Sequence, residues 1–153
     1  WWHRYEAETI SVADLALTLV STCHPRKLPV QLARVQALKK KRSQVPLRDA
    51  LLLHEILEDH AQDLEDALAL YCKASPGAAV GPADFARAAK VVSGQDLSSE
   101  CIWVVFKMFD EGRDGRLQYE ELLSATRDRV RRLPGQRESR DSLSQFMHCV
   151  RGD

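Results

Sequence analysis

Four times along this 153-residue chain one phrase recurs: an apolar β-type residue, three further residues, then a carboxylate just ahead of an apolar helix start. The copies are Ile10-Ser-Val-Ala-Asp14, Val45-Pro-Leu-Arg-Asp49, Val80-Gly-Pro-Ala-Asp84 and Leu117-Gln-Tyr-Glu-Glu121. Leu15, the Leu51 to Leu53 run, Phe85 and Leu122 follow them. A repeat in this register constrains the chain to four helix–loop–helix units, each loop ending in a short β-type contact.

The fourth copy closes a twelve-residue stretch, Asp110 to Glu121, that nearly completes a calcium-binding loop. With Asp110 at position 1, Asp114 falls at 5 and Gly115 at 6, where the chain must turn sharply. Arg116 at 7 offers its backbone carbonyl, Leu117 at 8 pairs with a neighbouring loop, Gln118 at 9 acts through a water, and Glu121 at 12 closes the shell. Position 3, normally Asp or Asn, is Gly112. Calcium is a hard cation that takes six to eight oxygens, and loop affinity follows the number of converging carboxylates. With three carboxylates, and with Arg113 and Arg116 adding positive charge nearby, calcium binding is expected to be weakened or lost. The competing reading is a loop that keeps this shape for packing and holds no ion.

The flanks support an EF-hand, the helix–loop–helix unit of calcium sensors. Ile102, Val105, Phe106 and Phe109 repeat at helical spacing behind a Ser98 or Ser99 cap, and an exit helix runs from Leu122 to about Leu133, before Pro134-Gly135. The other loops lack ligands. The third, Ala74 to Val80, has no carboxylate before Asp84; the second, Lys39 to Val45, is cationic; the first holds Glu6, Glu8 and Asp14 at the wrong phases. The predicted fold is therefore all-α: EF-hand-like helix–loop–helix pairs, mostly degenerate, with a C-terminal helix. Residues 1–60 form a degenerate pair, 61–133 a pseudo-hand plus the calcium-type hand with its loop at 110–121, and 134–153 a linker and C-terminal helix.

Charge narrows the partners. Lys plus Arg and Asp plus Glu both number 22, so no global field attracts nucleic acid, and no apolar run reaches membrane-spanning length. The chain opens Trp-Trp-His-Arg-Tyr, without Met or a signal-like segment, which suggests a piece of something longer. Arg127 to Arg140 carry a local positive excess, read either as a solvated helix end or as a surface for acidic lipid head groups or an acidic protein rim. An acidic stretch from Glu55 to Asp66 is most simply a solvated face, with Lys39 to Arg42 as alternative partners. Cys23, Cys72, Cys101 and Cys149 form no CxxC pair; Cys72 and Cys101 sit at apolar helical positions as small buried hydrophobes. No nucleophile spacing, phosphate loop or G-x-S-x-G motif is present, His54 and His60 read as ordinary helical residues, and no enzyme is expected.

Three stretches carry a family resemblance: Leu64-Glu-Asp-Ala-Leu, Asp84-Phe-Ala-Arg-Ala-Ala-Lys-Val-Val-Ser-Gly-Gln-Asp-Leu97, and Val105-Phe-Lys-Met-Phe-Asp110 continuing through Arg127-Asp-Arg-Val-Arg-Arg-Leu133. Together they resemble the C-terminal lobe of the mitochondrial calcium uptake family, regulators of the mitochondrial calcium uniporter. The resemblance implies a calcium-responsive module in the intermembrane space, associated with the inner membrane, docking on a channel complex and dimerising with a paralogous EF-hand protomer. It places calcium on Asp110, Asp114, the Arg116 carbonyl and Glu121, departs from the family at Gly112, and makes Cys149 in Phe146-Met-His-Cys149-Val the candidate intermolecular disulfide. The alternative is a calcium-independent EF-hand subunit of a larger mitochondrial assembly.

Overall fold

A computed structural model describes residues 8–21, 25–75, 77 and 79–121. Strand β1 (Thr9–Ser11) leads directly into helix α1 (Val12–Val20); a 3-10 turn (Pro25–Lys27) precedes α2 (Leu28–Leu38). Strand β2 (Gln44–Pro46) then opens α3 (Leu47–Asp59), and α4 (Ala61–Ala74) follows after a break at His60. Strand β3 (Ala79–Val80), α5 (Pro82–Ser93), α6 (Ser99–Phe109) and β4 (Leu117–Gln118) complete the series, and helix resumes at residues 119–121. The exit helix of the fourth hand thus begins at Tyr119, three residues before Leu122. Its expected run to Leu133, the Arg127 to Arg140 cluster, Cys23, Cys149 and the C-terminal helix lie outside the described residues.

Local chemistry sets the boundaries. Ser11 caps α1, its Oγ accepting the Asp14 amide at 3.0 Å. Of the two candidate serines ahead of α6, Ser98 is the cap, accepting the Cys101 amide at 3.3 Å. Helix α5 stops at Gly94, whose φ of +73° is the left-handed conformation that glycine adopts without steric penalty.

The four β-type residues of the repeat are the residues that pair. Strands β1 and β2 run antiparallel with Ile10 opposite Val45, and β3 and β4 with Val80 opposite Leu117. Val45, Val80 and Leu117 are fully buried and Ile10 packs against the core. Each bridge joins two helix–loop–helix units, giving two pairs on one continuous apolar core built from Leu15, Leu19, Leu53, Ile56, Leu64, Leu68 and Phe85 among others. Phe85 of α5 meets Phe106 of α6 edge to face, centroids 6.0 Å apart and planes at 89°. Burying each such large apolar side chain contributes roughly 1.5–3 kcal/mol. The fold is all-α and EF-hand-like. Among the described residues no helix is long and apolar enough to cross a membrane.

Candidate functional site

The fourth loop begins where α6 ends. Asp110 is the C-cap of α6 and is buried, with its Oδ2 accepting the Gly115 amide at 2.8 Å. Its Oδ1 is also buried and meets no donor. An anionic oxygen in that state is costly unless a cation or water completes it. Asp114 Oδ1 accepts the Arg116 amide at 3.0 Å. Glu121 reaches back across the loop: Oε1 accepts the Glu111 and Gly112 amides at 3.0 and 3.3 Å, and Oε2 the Gln118 amide at 2.9 Å. Gly115 and Arg113 hold φ of +76° and +55°, the left-handed positions that curl the loop; for Arg113 this costs about 1 kcal/mol.

At Gly112 the sequence departs from a full ligand set, and the geometry of that gap is specific. A Cβ added there would lie 3.8 Å from Asp110 Oδ1 and 4.0 Å from Asp114 Cγ, and the backbone is not left-handed. The place of the missing side chain therefore lies beside the orphaned oxygen and the second carboxylate, with room for an L-residue. Among the described residues no three acidic, His or Cys side chains converge into a preassembled metal cluster. Asp110, Asp114 and Glu121 share one loop, each tied to loop amides, and Asp110 Oδ1 is the orphaned buried acceptor that fits a cation.

The two arginines of the loop are placed differently. The Arg116 guanidinium leaves the loop and donates to the Ala79 carbonyl at 2.9 Å, fastening the fourth loop to the third. Arg113 lines an open groove beside the loop. The first pair also grips this region. Arg34 of α2 donates to the Met108 carbonyl at 2.7 Å, where the negative end of the α6 dipole favours a cation, and Lys27 pairs with Glu111 at 3.2 Å.

Sequence reasoning missed what the last-position carboxylates do in loops without ligands. In the first hand Asp14 Oδ2 accepts the Ser11 hydroxyl at 2.7 Å, and in the third Asp84 Oδ2 accepts the Gly81 amide at 3.3 Å. Both lie three residues into the exit helix; Asp84 caps it through the Gly81 amide, as Glu121 does with Gln118, and Asp14 braces the capping hydroxyl of Ser11. In the second hand the cap residue is Pro46, which has no N–H. Asp49 turns away instead, is 4% exposed, and accepts the Ser98 amide at 2.7 Å, joining α3 of the first pair to the start of α6 in the second. The signal was available in the sequence as Pro46 three residues before Asp49.

Cys72 and Cys101 are buried and free, with burial first and the nearby Asp49 charge second pushing Cys101 up to about 12. Burial, then Asp84, also raises Cys72. His54 Nε2 lies 2.8 Å from Thr18 Oγ1, and His60 sits beside Glu55 and Asp63.

Paired helix–loop–helix units bridged at the eighth loop position define an EF-hand protein. No family model matches the chain. It is homologous, however, to one segment of the mitochondrial calcium uptake proteins. It is 30% identical to the Arabidopsis thaliana protein named "Calcium uptake protein, mitochondrial" over 124 residues, 80% of this chain and 25% of that one. Identity to human "Calcium uptake protein 2, mitochondrial" is 33% over 95 residues, 60% and 20% of the two chains. The crystal structure of EFHA2 in its apo state superposes with a TM-score of 0.67 at 27% identity, covering 81% of this chain and 39% of that one. EFHA2 in its Ca-binding state gives 0.62 at 26%, covering 74% and 34%. The chain spans about a quarter or less of the length of these curated relatives. The names of these relatives describe calcium uptake.

Proposed function

We propose that this chain is a calcium-responsive EF-hand regulatory module of a mitochondrial calcium uptake protein, acting through protein partners. The observation that carries the reading is the fourth loop, with Asp110 Oδ1 buried and unpartnered among loop carboxylates. Asp110, Asp114, Glu121 and the Arg116 carbonyl would hold the ion, and calcium would supply the positive charge these oxygens lack. Glu121 sits in the first turn of the exit helix, so a pull on its carboxylate bears on that helix's direction. Arg34 and Lys27 anchor the entering side to the first pair. Docking on a channel complex, pairing with a paralogous protomer, a place in the intermembrane space at the inner membrane, a role for Arg127 to Arg140 on acidic head groups, and an intermolecular disulfide at Cys149 extend this proposal.

One observation favours the alternative, a calcium-independent subunit. Both Glu121 oxygens are already taken by backbone amides, so the loop closes without an ion. Calorimetric titration of calcium, with magnesium as a control, separates the two. Saturable calcium-selective heat that vanishes in Glu121→Gln supports the responsive module; no heat up to millimolar calcium leaves the subunit reading.

A further inference from the structure

A groove of about 1070 Å³ opens between the two pairs, walled by α2, α5 and α6 and running onto the fourth loop. Leu38, Ile102 and Phe106 make its lining largely apolar, and Trp103 stands half-buried on the wall. Its charges are one-sided. Arg34, Lys107 and Arg113 all border it, and among the described residues none of the three pairs with a carboxylate. Elsewhere Lys27, Arg48, Arg87 and Lys90 each meet an acid, at 3.2, 3.7, 3.6 and 3.0 Å. Arg34 donates to the Lys107 and Met108 carbonyls at 3.5 and 2.7 Å, and Lys107 Nζ lies 5.5 Å over the Trp103 ring. The two acids on the border are engaged by the loop: Asp110 is buried and accepts the Gly115 amide, and Asp114 accepts the Arg116 amide.

The three cations also share one end. Lys107 lies five residues, about 7.5 Å, beyond Ile102 along α6. Arg34 reaches the carbonyls beside it and Arg113 follows in the loop, so the positive charge collects where the groove meets the loop. From Ser99 to Lys107 the α6 wall runs about 12 Å, room for roughly two helical turns. An open groove between helical units, apolar along its length and cationic at one end, is complementary to an amphipathic helix with carboxylates at the matching end. A partly exposed Trp is the residue type that anchors such contacts.

We propose that this groove docks an acidic amphipathic helix of a protein partner, its apolar stripe on Ile102, Trp103 and Phe106 and its carboxylates on Arg34, Lys107 and Arg113. The inference rests on the reading above only in taking the partner to be a protein; it needs no ion in the fourth loop.

Selection against the immobilised full chain, from a phage library of randomised helices about 16 residues long, tests this. Recovered helices should carry an excess of Asp and Glu at one end. Synthetic copies should lose affinity at least ~10-fold in the double variant Lys107→Glu with Arg113→Asn, and should weaken steeply with salt. Both positions are exposed, and asparagine accepts the left-handed backbone of Arg113, so the fold is kept. Ala83→Glu, at an exposed wall position in the first turn of α5, should compete with the helix's own carboxylates and weaken binding similarly. Leu70→Ala, exposed and away from the groove, should change nothing. Neutral or basic winners, or equal binding to all variants, would overturn the proposal. So would a failure to enrich any helix, the result expected if the chain itself or a second copy fills the groove. Calcium heat without acidic helices sinks this inference alone; acidic helices without calcium heat sink only the calcium-responsive reading.

Discussion

The two pairs share one scaffold and differ in what their loops contain. In the first, Ile10 meets Val45 across a three-residue bridge between loops that hold no ligand set; in the second, Val80 meets Leu117 beside a loop that keeps Asp110, Asp114 and Glu121. The bridge survives where the ligands are gone. Packing of the eighth-position residue accompanies the bridge in both pairs, whether the twelfth-position carboxylate caps its own helix, as in Asp84 and Glu121, or reaches a neighbour, as in Asp49, and an ion would add to a loop already built. The pairs differ also in the direction of their carboxylates. Asp14, Asp84 and Glu121 serve their own helices, whereas Asp49, denied an amide by Pro46, serves its neighbour.

That contrast can be broken experimentally. Asp49→Ala strips the buried acceptor from the Ser98 amide and should cost about 2–3 kcal/mol in urea unfolding; a loss below about 0.5 kcal/mol would remove Asp49 as the tie between pairs. Gly112→Asp fills the gap beside Asp110 Oδ1 and should tighten calcium binding at least ~10-fold, about 1.4 kcal/mol by titration. The equivalent Ser75→Asp in the third loop, which lacks the remaining ligands, should give no heat. If both respond alike, the difference between the loops is misread. Ser11→Ala should have the smallest effect, about 1 kcal/mol, because it removes one helix cap and leaves the bridge intact; unfolding of the β1–β2 pair alone would show that capping holds the bridge.

Much of this was legible in the sequence because it is local. The eighth-position residues announce themselves by a fixed five-residue phrase, and the loop ligands by their count from Asp110. Buried thiols at Cys72 and Cys101 followed from apolar helical spacing. What escaped depended on residues far apart. Nothing near Arg116 points to the Ala79 carbonyl, 37 positions away, and a charge count placed its cation beside the acids instead. The groove is assembled from three helices belonging to both pairs, so no single window contains it. Ser98 and Ser99 were equivalent as letters, and the 3.3 Å bond to the Cys101 amide separated them.

The capping duty of the closing carboxylate also bears on how such chains change over generations. A residue with two employments is retained when one of them lapses. Where the closing carboxylate caps its own helix, as Asp84 does, a loop without third- and fifth-position acids still depends on its twelfth for helix stability. Asp14 and Asp84 have such structural duties without a ligand set around them, so a tally of closing carboxylates overstates how many loops of a chain like this one hold an ion.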